Sequence, residues 1–185
     1  MSKMFESELV TERLILREWE LTDAPALYKY ASDEKVGPRA GWPVHTSEAM
    51  SRRIIAEELQ KLHSFAVCLK KDRGHIIGAI GIKQQDEKMN EAEIGYWIGV
   101  PFWGHGYMPE ALNEIIRYCF DELNLTDLWC GYYDGNQQSY TVQLKCGFKD
   151  AYTVEEKSVP LLNEYRTEYF THLTKKDWLV KEQTK

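Results

Sequence analysis

The clearest pattern of apolar positions in the chain is helical, and it follows a turn rich in glycine. Between residues 106 and 123, apolar side chains recur three and four positions apart, which predicts a helix with one broad apolar face. Pro109 falls in the first turn of this helix, where the N–H group that proline lacks would have no helical partner. Similar periodicity predicts further helices at residues 22–31, 47–62 and 136–145.

Strand patterns occur at residues 9–18, 64–69, 76–83, 92–100, 128–133, 149–157 and 164–173. A polar segment joins the strands at 76–83 and 92–100, which predicts an antiparallel hairpin. The strand at 128–133 follows a helix, so a crossover and parallel pairing are expected there. Mixed pairing with helices on both sides predicts an α/β fold (α+β in some schemes) of three layers, with a mixed central sheet of about six or seven strands.

No internal repeat, low-complexity segment or linker divides the chain, and 185 residues suit one domain with a single core. We expect that domain at residues 9–175, with terminal tails at 1–8 and 176–185. The 23 basic and 29 acidic residues give a net charge of −6, which argues against a nucleic-acid surface and weakly favours a cationic substrate. No apolar run has the length of a membrane span, and the first residues lack the apolar core of a signal peptide.

The cysteines and histidines suggest neither disulfides nor a metal site. The histidines lack the spacing of metal ligands, so no metal is expected. The cysteines lie in apolar stretches without a Cys-x-x-Cys pair, which predicts buried, reduced thiols and a cytoplasmic protein. They are Cys68, Cys119, Cys130 and Cys146.

The glycine turn before residue 106 is the strongest candidate for a binding site. Gly104 and Gly106 lie where N–H groups converge at a helix N-terminus, and the helix dipole favours phosphate there. A Walker phosphate loop is excluded because no Gly-Lys-Ser/Thr follows the glycines. A dinucleotide-binding turn needs a third glycine where this chain has Pro109. The turn therefore indicates a phosphate-bearing ligand in the middle of a mixed sheet.

Four segments carry a resemblance to a known family. Their order and spacing resemble the GNAT superfamily of acyl-CoA-dependent N-acetyltransferases, and most closely its Rim-type branch, which contains the ribosomal-protein N-terminal acetyltransferases. The segments are residues 9–17 (Leu-Val-Thr-Glu-Arg-Leu-Ile-Leu-Arg), 93–98 (Glu-Ile-Gly-Tyr-Trp-Ile), 102–111 (Phe-Trp-Gly-His-Gly-Tyr-Met-Pro-Glu-Ala) and 136–148, which contains Asn-x-x-Ser and Lys-Cys-Gly-Phe.

The resemblance implies acetyl-CoA as co-substrate. Trp103 stands where the wider family has Gln or Arg, so one side-chain contact with the pyrophosphate is lost. The pantetheine arm would pair like an added strand with the backbone near Ile98. Asn136 would hold the pantetheine or cap the following helix, and these roles are compatible. The pyrophosphate would rest on the backbone N–H groups of Gly104, His105, Gly106, Tyr107 and Met108.

The implied reaction is direct attack of a neutral amine on the thioester carbonyl. Ser139 stands where the Rim-type branch has a serine that donates to the leaving thiolate; alternatively, it is an ordinary helix serine. Gln143 occupies the position at which many GNAT members carry a tyrosine for this purpose. The base is Glu93 on the central strand, Glu156 on the strand at 149–157, or water.

The acceptor implied by the resemblance is a primary amine, either the N-terminal α-amine of a ribosomal or other protein or a small molecule. Trp42, Trp97 and Tyr132 line the acceptor side in one interpretation and belong to the core in the other. No nucleic-acid or membrane partner is expected, and the chain would act as a monomer or a homodimer. Two alternatives stay open: a non-catalytic acyl-CoA-binding module and a generic nucleotide-binding α/β domain.

Overall fold

A mixed sheet runs through the centre of the molecule. The computed structural model describes residues 8–61, 63–72, 75–86 and 88–183. Within these ranges the strands are β1 (Glu8–Val10), β2 (Leu14–Arg17), β3 (His63–Leu69), β4 (Ile76–Asp86), β5 (Glu91–Ile98), β6 (Asp127–Tyr133), β7 (Lys149–Val159) and β8 (Glu164–Thr174). They form one eight-stranded sheet in the order β1-β2-β3-β4-β5-β6-β8-β7.

The pairing of the strands confirms the predicted fold class. β4 and β5 form the expected antiparallel hairpin, and β5 and β6 pair in parallel across a helical crossover. The remaining neighbours in the sheet are antiparallel. The sheet has one strand more than the upper end of the prediction.

The additional strand arises because the predicted strand at 9–18 folds back as a hairpin of β1 and β2. The N–H of Thr11 donates to the carbonyl of Leu14 (3.0 Å), and its hydroxyl oxygen accepts from the N–H of Leu14 (2.9 Å). A threonine side chain that binds the backbone in this way stabilises a turn without glycine or proline. The apolar pattern on both sides of the turn gives no sign of the reversal.

Helices cover both faces of the sheet, as predicted. Those in the described residues are α1 (Ala24–Ala31), α2 (Gly37–Ala40), α3 (Glu48–Ile54), α4 (Tyr107–Arg117), α5 (Gln137–Cys146) and α6 (Lys175–Gln183). α3 and α4 continue as π-helical turns at Ile55–Leu59 and Tyr118–Glu122. These wider turns complete most of the two long helices that the periodicity predicts.

Two helices were not predicted. α2 is a single turn that ends at Gly41, which has a left-handed backbone (φ 93°). α6 occupies much of the segment expected to be a terminal tail, and its composition is mostly polar. Its Trp178 packs on Phe120, with ring centroids 5.4 Å apart. One aromatic anchor gives too little periodicity for a sequence pattern to show the helix.

Alternate residues of β3 show how the core divides between the two faces. Phe65 and Val67 pack into the cluster formed with α4 and α5, whereas Ala66 and Cys68 pack into the cluster formed with α1 and the end of α3. β5 lies between these layers near the middle of the sheet. The end of β5 therefore lies at the centre of the fold, and the turn to α4 begins there.

Candidate active site

The parallel pairing of β5 and β6 stops half-way along β5. Ile94 and Cys130 are the last paired residues. Gly95 and Gly131 come next, and from this point β5 continues to Ile98 in pairing with β4 alone. The edge of β5 that faces β6 is thus open, as expected for the splayed central strand that the resemblance implied.

A cavity of about 920 Å³ occupies this gap and extends along both faces of β5. Trp42, Trp97 and Tyr132 line it. Trp42 and Trp97 also pack against the core cluster on the α1 side of the sheet. Of the predicted site residues, those that also line the cavity are Ile98, Trp103, Gly104, Gly106, Tyr107, Met108, Asn136 and Ser139. His105, Glu93 and Glu156 are not among its lining residues.

The charges around the cavity differ from those of the whole chain. The protein carries a net charge of −6, yet basic side chains outnumber acidic ones in the cavity wall. Such a wall favours an anionic ligand through its local potential. The basic lining residues are Lys35, Arg39, Arg53, Lys83 and Lys145, and the acidic ones are Glu58 and Glu168.

The glycine turn has the geometry of an anion site. Gly104 and Gly106 have φ angles of 76° and 77°, a left-handed conformation that strains residues with a Cβ. Gly106 is the N-cap of α4 and offers no capping side chain, and the first intrahelical bond runs from the N–H of Glu110 to its carbonyl (3.2 Å). The N–H groups of Tyr107 and Met108 therefore precede the helical ladder and can bind phosphate oxygens.

Glu110 fixes this turn to the β1–β2 hairpin, a contact that sequence reasoning missed. Its carboxylate accepts hydrogen bonds from the Thr11 hydroxyl (2.5 Å), the Arg13 backbone N–H (2.8 Å) and Arg13 Nε (2.6 Å). Burial opposes ionisation, but these bonds and the Arg13 charge lower the pKa of Glu110 below its usual range. Glu110 also lies in the first turn of α4, where the helix dipole favours a negative charge.

Arg13 in turn brings a positive charge to the turn. Its Nη1 donates to the carbonyl of His105 (3.0 Å), and its guanidinium lies 4.5 Å from the ring centroid of Tyr107. The His105 ring stacks on Tyr107 and its Nδ1 lies 2.8 Å from the carbonyl oxygen of Trp103. His105 thus organises the turn through its carbonyl and its ring.

Trp103 has a structural role that the family resemblance did not indicate. Its indole N–H donates to the carbonyl of Ile98 (3.0 Å) and so ties the turn to the end of β5. The Arg39 guanidinium of α2 lies 5.6 Å from the indole centroid and also binds Gln138 of α5 (2.6 Å). α2 therefore bridges the gap between the β5 side and α5.

Asn136 is the N-cap of α5. Its side-chain oxygen accepts from the N–H of Ser139 (3.3 Å), and its amide nitrogen donates to the carbonyl of Arg39 (3.4 Å). The capping role that the sequence left open is thus observed. It also sets the position of Ser139 at the start of α5.

Ser139 belongs to a chain of hydrogen bonds that crosses the gap. Its Oγ lies 3.0 Å from the hydroxyl of Tyr96 and accepts from Nε2 of Gln143 (3.2 Å). Gln143, which is fully buried, also binds the carbonyl of Gly131 (3.3 Å) and accepts from the hydroxyl of Thr171 (2.8 Å). Burial raises the pKa of Tyr96 well above its usual value, so its hydroxyl remains protonated. Ser139 and Gln143 were named separately from the sequence, which gave no sign that the two side chains are hydrogen-bonded to each other.

The two predicted carboxylates lie away from this network. Glu93 forms an ion pair with Lys83 (2.6 Å) at the paired end of β5. Burial alone would lower the pKa of Lys83, but Glu93, with Glu168 and Tyr133 nearby, raises it. Glu156 is exposed and lies in an irregular stretch of β7 with a left-handed backbone (φ 48°).

A third carboxylate, which the sequence analysis did not select, does line the cavity. Glu168 on β8 is 2% exposed and lies opposite Tyr133 of β6. In sequence it is one of two acidic residues on the predicted strand at 164–173. Only the pairing of β8 with β6 places it next to the gap.

All four cysteines are buried thiols, as predicted. Burial raises the pKa of Cys119 to about 12 and also raises that of Cys130 well above its usual range. No group of three or more His, Cys, Asp or Glu side chains in the described ranges could hold a metal ion. Among the helices described, none combines the length and apolar character needed to cross a membrane.

Residues 13–149 match the model of the acetyltransferase (GNAT) domain. This chain belongs to the GNAT acetyltransferase family. Members of this family use acetyl-CoA as acetyl donor, and the protein is an acetyl-CoA-dependent acyltransferase. The comparisons therefore favour an enzyme over a non-catalytic acyl-CoA-binding module.

Similar proteins support this assignment. The uncharacterized N-acetyltransferase YnaD of Bacillus subtilis is 29% identical over 170 residues, which cover 92% of this chain and 98% of the relative. A GNAT-family acetyltransferase from Bacillus anthracis superposes with a TM-score of 0.81 at 25% identity, covering 91% of this chain and 99% of the other. A candidate ribosomal-protein-serine acetyltransferase from Vibrio cholerae superposes with a TM-score of 0.78 at 25% identity, covering 90% and 97%. Such relatives agree with the Rim-type resemblance.

Proposed function

We propose that this GNAT protein transfers the acetyl group of acetyl-CoA to a primary amine, which attacks the thioester directly while both substrates are bound. The observation that supports the proposal best is the gap between β5 and β6. It opens at Gly95 and Gly131, and the hydrogen-bonded Ser139 lies beside it. A thioester held in this gap can meet a proton donor on the α5 side and an amine on the opposite face of the sheet.

The cavity suits the co-substrate in shape and charge. The N–H groups at the start of α4 and the basic cavity wall favour the pyrophosphate. The open edge of β5 can pair with the pantetheine amides in the manner of an added strand. Because Trp103 occupies the Ile98 carbonyl, we expect the arm to use other backbone groups between Gly95 and Ile98.

Ser139 is the proposed proton donor. In the reaction the amine nitrogen forms a bond with the carbonyl carbon, and the carbon–sulfur bond breaks. The Ser139 hydroxyl gives its proton to the leaving sulfur and regains one from the nitrogen, so that no charge stays on the serine. Tyr96 and Gln143 hold Ser139 Oγ by hydrogen bonds, which fixes its direction before the reaction.

The acceptor nitrogen must be neutral when it attacks. An α-amine, with a pKa near ~8, loses its proton more readily than a lysine side chain near ~10.4. Glu93, Glu156 and water are the bases that the sequence proposes. Glu93 is paired with Lys83 and Glu156 is exposed, so either would act through water rather than by direct contact in the cavity.

The acceptor proposed is a protein N-terminal α-amine or a small primary amine. Ribosomal proteins are reasonable candidates because the Vibrio cholerae neighbour carries that name. The aromatic side chains of Trp42 and Trp97, whose centroids lie 5.9 Å apart, give the acceptor side an apolar wall. Such a wall suits an amine with an apolar neighbouring group.

The test is an assay of CoA release from acetyl-CoA, with mass spectrometry of the product, against small amines, peptides with free N-termini and ribosomal proteins. We expect at least one acceptor to gain a single acetyl group on nitrogen in step with CoA release. Tight acetyl-CoA binding without turnover on any acceptor would favour a binding module. Protection of the fold against heat by ATP or NAD, and not by CoA, would favour a nucleotide-binding domain.

A further inference from the structure

Glu168 is a buried carboxylate that the network around Ser139 does not use. Its side chain is 2% exposed, lines the cavity, and has an oxygen, Oε2, without a hydrogen bond among the described residues. A buried carboxylate is costly unless it is paired and hydrogen-bonded. An incomplete hydrogen-bond shell at a cavity wall therefore suggests a place for a donor that comes with a ligand.

Gly131 makes room for this carboxylate at the start of the gap. A Cβ at position 131 would lie 2.5 Å from Glu168 Oε1. The same residue accepts a hydrogen bond at its carbonyl from Gln143, which also binds Ser139 Oγ. Gly131 therefore connects the proton donor on the α5 side with Glu168, which extends from the neighbouring strand.

A primary ammonium group already contacts Glu168. The Nζ atom of Lys157 on β7 lies against Oε2, but without the geometry of a hydrogen bond, and it also lies 4.8 Å from the centroid of the Phe170 ring. Lys157 is partly exposed, and it follows a register shift of β7 that begins at Val154. Its flexible stem and partly exposed position allow it to leave the carboxylate when another ammonium group enters.

We propose that Glu168 binds the ammonium group of the acceptor and takes its first proton, and that Lys157 occupies this place in the free protein. The proposal rests on the proposed acetyl transfer to a primary amine and identifies the residue that receives that amine. One proton passes from the ammonium nitrogen to Glu168 and then to solvent. The neutral nitrogen keeps the electron pair that forms the new bond to carbon.

Other charged groups around Glu168 are compatible with this role. Lys83 lies near enough to interact with Glu168 electrostatically but is already bound to Glu93 (2.6 Å). Arg166 of β8 is paired with Glu164 (2.6 Å), and its guanidinium lies 5.5 Å from the Tyr133 centroid. Burial and the Glu168 charge raise the pKa of Tyr133, so it stays neutral beside the carboxylate. Lys157 is thus the cation whose displacement would free Glu168.

The first experiment needs no knowledge of the natural acceptor. CoA-loaded protein is titrated with 2-phenylethylamine and, as a neutral match in shape, with 2-phenylethanol, and binding is followed by NMR or calorimetry. We expect the wild type to prefer the amine and Glu168→Gln to lose that preference. Glu155→Gln, an exposed change on β7, should keep it. A wild type without preference, or a preference that survives Glu168→Gln, would overturn the proposal.

Lys157→Met supplies a test of opposite sign. Because it removes the competing ammonium group, it should strengthen amine binding and lower KM for an acceptor, whereas Glu168→Gln should raise KM. The rise in KM caused by Glu168→Gln should shrink at pH values above the pKa of the acceptor amine, where no proton has to be removed. Weaker amine binding by Lys157→Met, or a rise in KM that stays constant with pH in Glu168→Gln, contradicts the proposal.

Two results separate this inference from the proposed function. If the wild type acetylates an amine and Glu168→Gln does so equally well, the role of Glu168 is wrong and acetyl transfer stands. If the amine preference depends on Glu168 but no acceptor is acetylated, the binding role stands and the proposed function is wrong. Unchanged acetyl-CoA affinity in every variant shows that the fold and the co-substrate site are intact.

Discussion

The hydroxyl of Tyr96 lies 3.0 Å from Oγ of Ser139, next to the point where β5 and β6 separate. Tyr96 extends from β5 and Ser139 from the first turn of α5, so this contact joins the two elements that border the gap. Gln143 Nε2 donates a hydrogen bond to the same serine oxygen (3.2 Å). The serine is therefore held in place before any substrate binds.

Replacement of Ser139 by alanine should lower kcat by about 10²–10⁴-fold, the range expected when a positioned proton donor is removed. Acetyl-CoA affinity should change little, because the change removes no contact with the turn before α4. Steady-state kinetics and equilibrium binding measure the two effects. Ser32→Ala at the end of α1 is the matched control. Turnover equal to the wild type would reduce Ser139 to an ordinary helix residue.

Tyr96→Phe leaves the serine itself but removes two contacts with it: the contact of the Tyr96 hydroxyl with Ser139 Oγ (3.0 Å) and its hydrogen bond to the Ser139 carbonyl (3.1 Å). Only the first of these contacts positions the reacting oxygen. A single hydrogen bond contributes about 1 kcal/mol, so we expect a loss in kcat of roughly fivefold. The loss should be much smaller than that of Ser139→Ala, and single-turnover kinetics measure it. An equal or larger loss would show that Tyr96 takes part in the proton transfer directly.

Gly106 gives a paired test of the phosphate site. Gly106→Ala and Gly106→Glu both strain a residue with φ of 77°, but only the glutamate adds bulk and negative charge. We expect acetyl-CoA affinity to fall at least tenfold further in Gly106→Glu than in Gly106→Ala. Gly147→Ala, at a left-handed position after α5, controls for strain alone. Equal affinities in the two Gly106 variants would contradict the site.

Glu110→Gln tests the link between the turn and the β1–β2 hairpin. The lost charge-assisted bonds should lower the free energy of unfolding at neutral pH by about 1–2 kcal/mol. Since the folded state lowers the pKa of Glu110, its contribution is present above the unfolded value near ~4.3 and is lost as pH falls through the folded value. The difference between wild type and variant should therefore shrink in acid. Asp121→Asn, an exposed change at the end of the same helical segment, is the control, and a pH-independent difference would contradict the account.

Local signals in the sequence were sufficient to predict the fold class and the position of the glycine turn before α4. The apolar periodicity of α4, the left-handed glycines before it and the Asn-x-x-Ser start of α5 are features of neighbouring residues. The contacts of Glu110 were not predictable in this way, because its partner Thr11 is 99 positions away. The hairpin of β1 and β2 escaped prediction for a related reason, since a threonine closes its turn and Glu110 holds it.

The candidate carboxylates show the same limit. Glu93 and Glu156 were proposed from the family resemblance, by the strands on which they lie, whereas Glu168 lines the cavity because β8 inserts between β6 and β7. That strand order depends on long-range pairing, which the pattern of one strand does not contain. Glu156 lies in the bulge of β7 and is not among the residues that line the cavity, and no alternation pattern in the sequence marks that bulge.

The central claim is direct transfer of the acetyl group from CoA to an amine. A single-turnover experiment with isotope-labelled acetyl-CoA, quenched at successive times and followed by mass spectrometry of protein and acceptor, tests it most directly. The buried cysteines and the hydrogen-bonded Ser139 predict that the label passes to the acceptor nitrogen and never resides on the protein. An acetylated serine or cysteine that forms and decays before the product appears would contradict the account, as would bound acetyl-CoA that is never consumed.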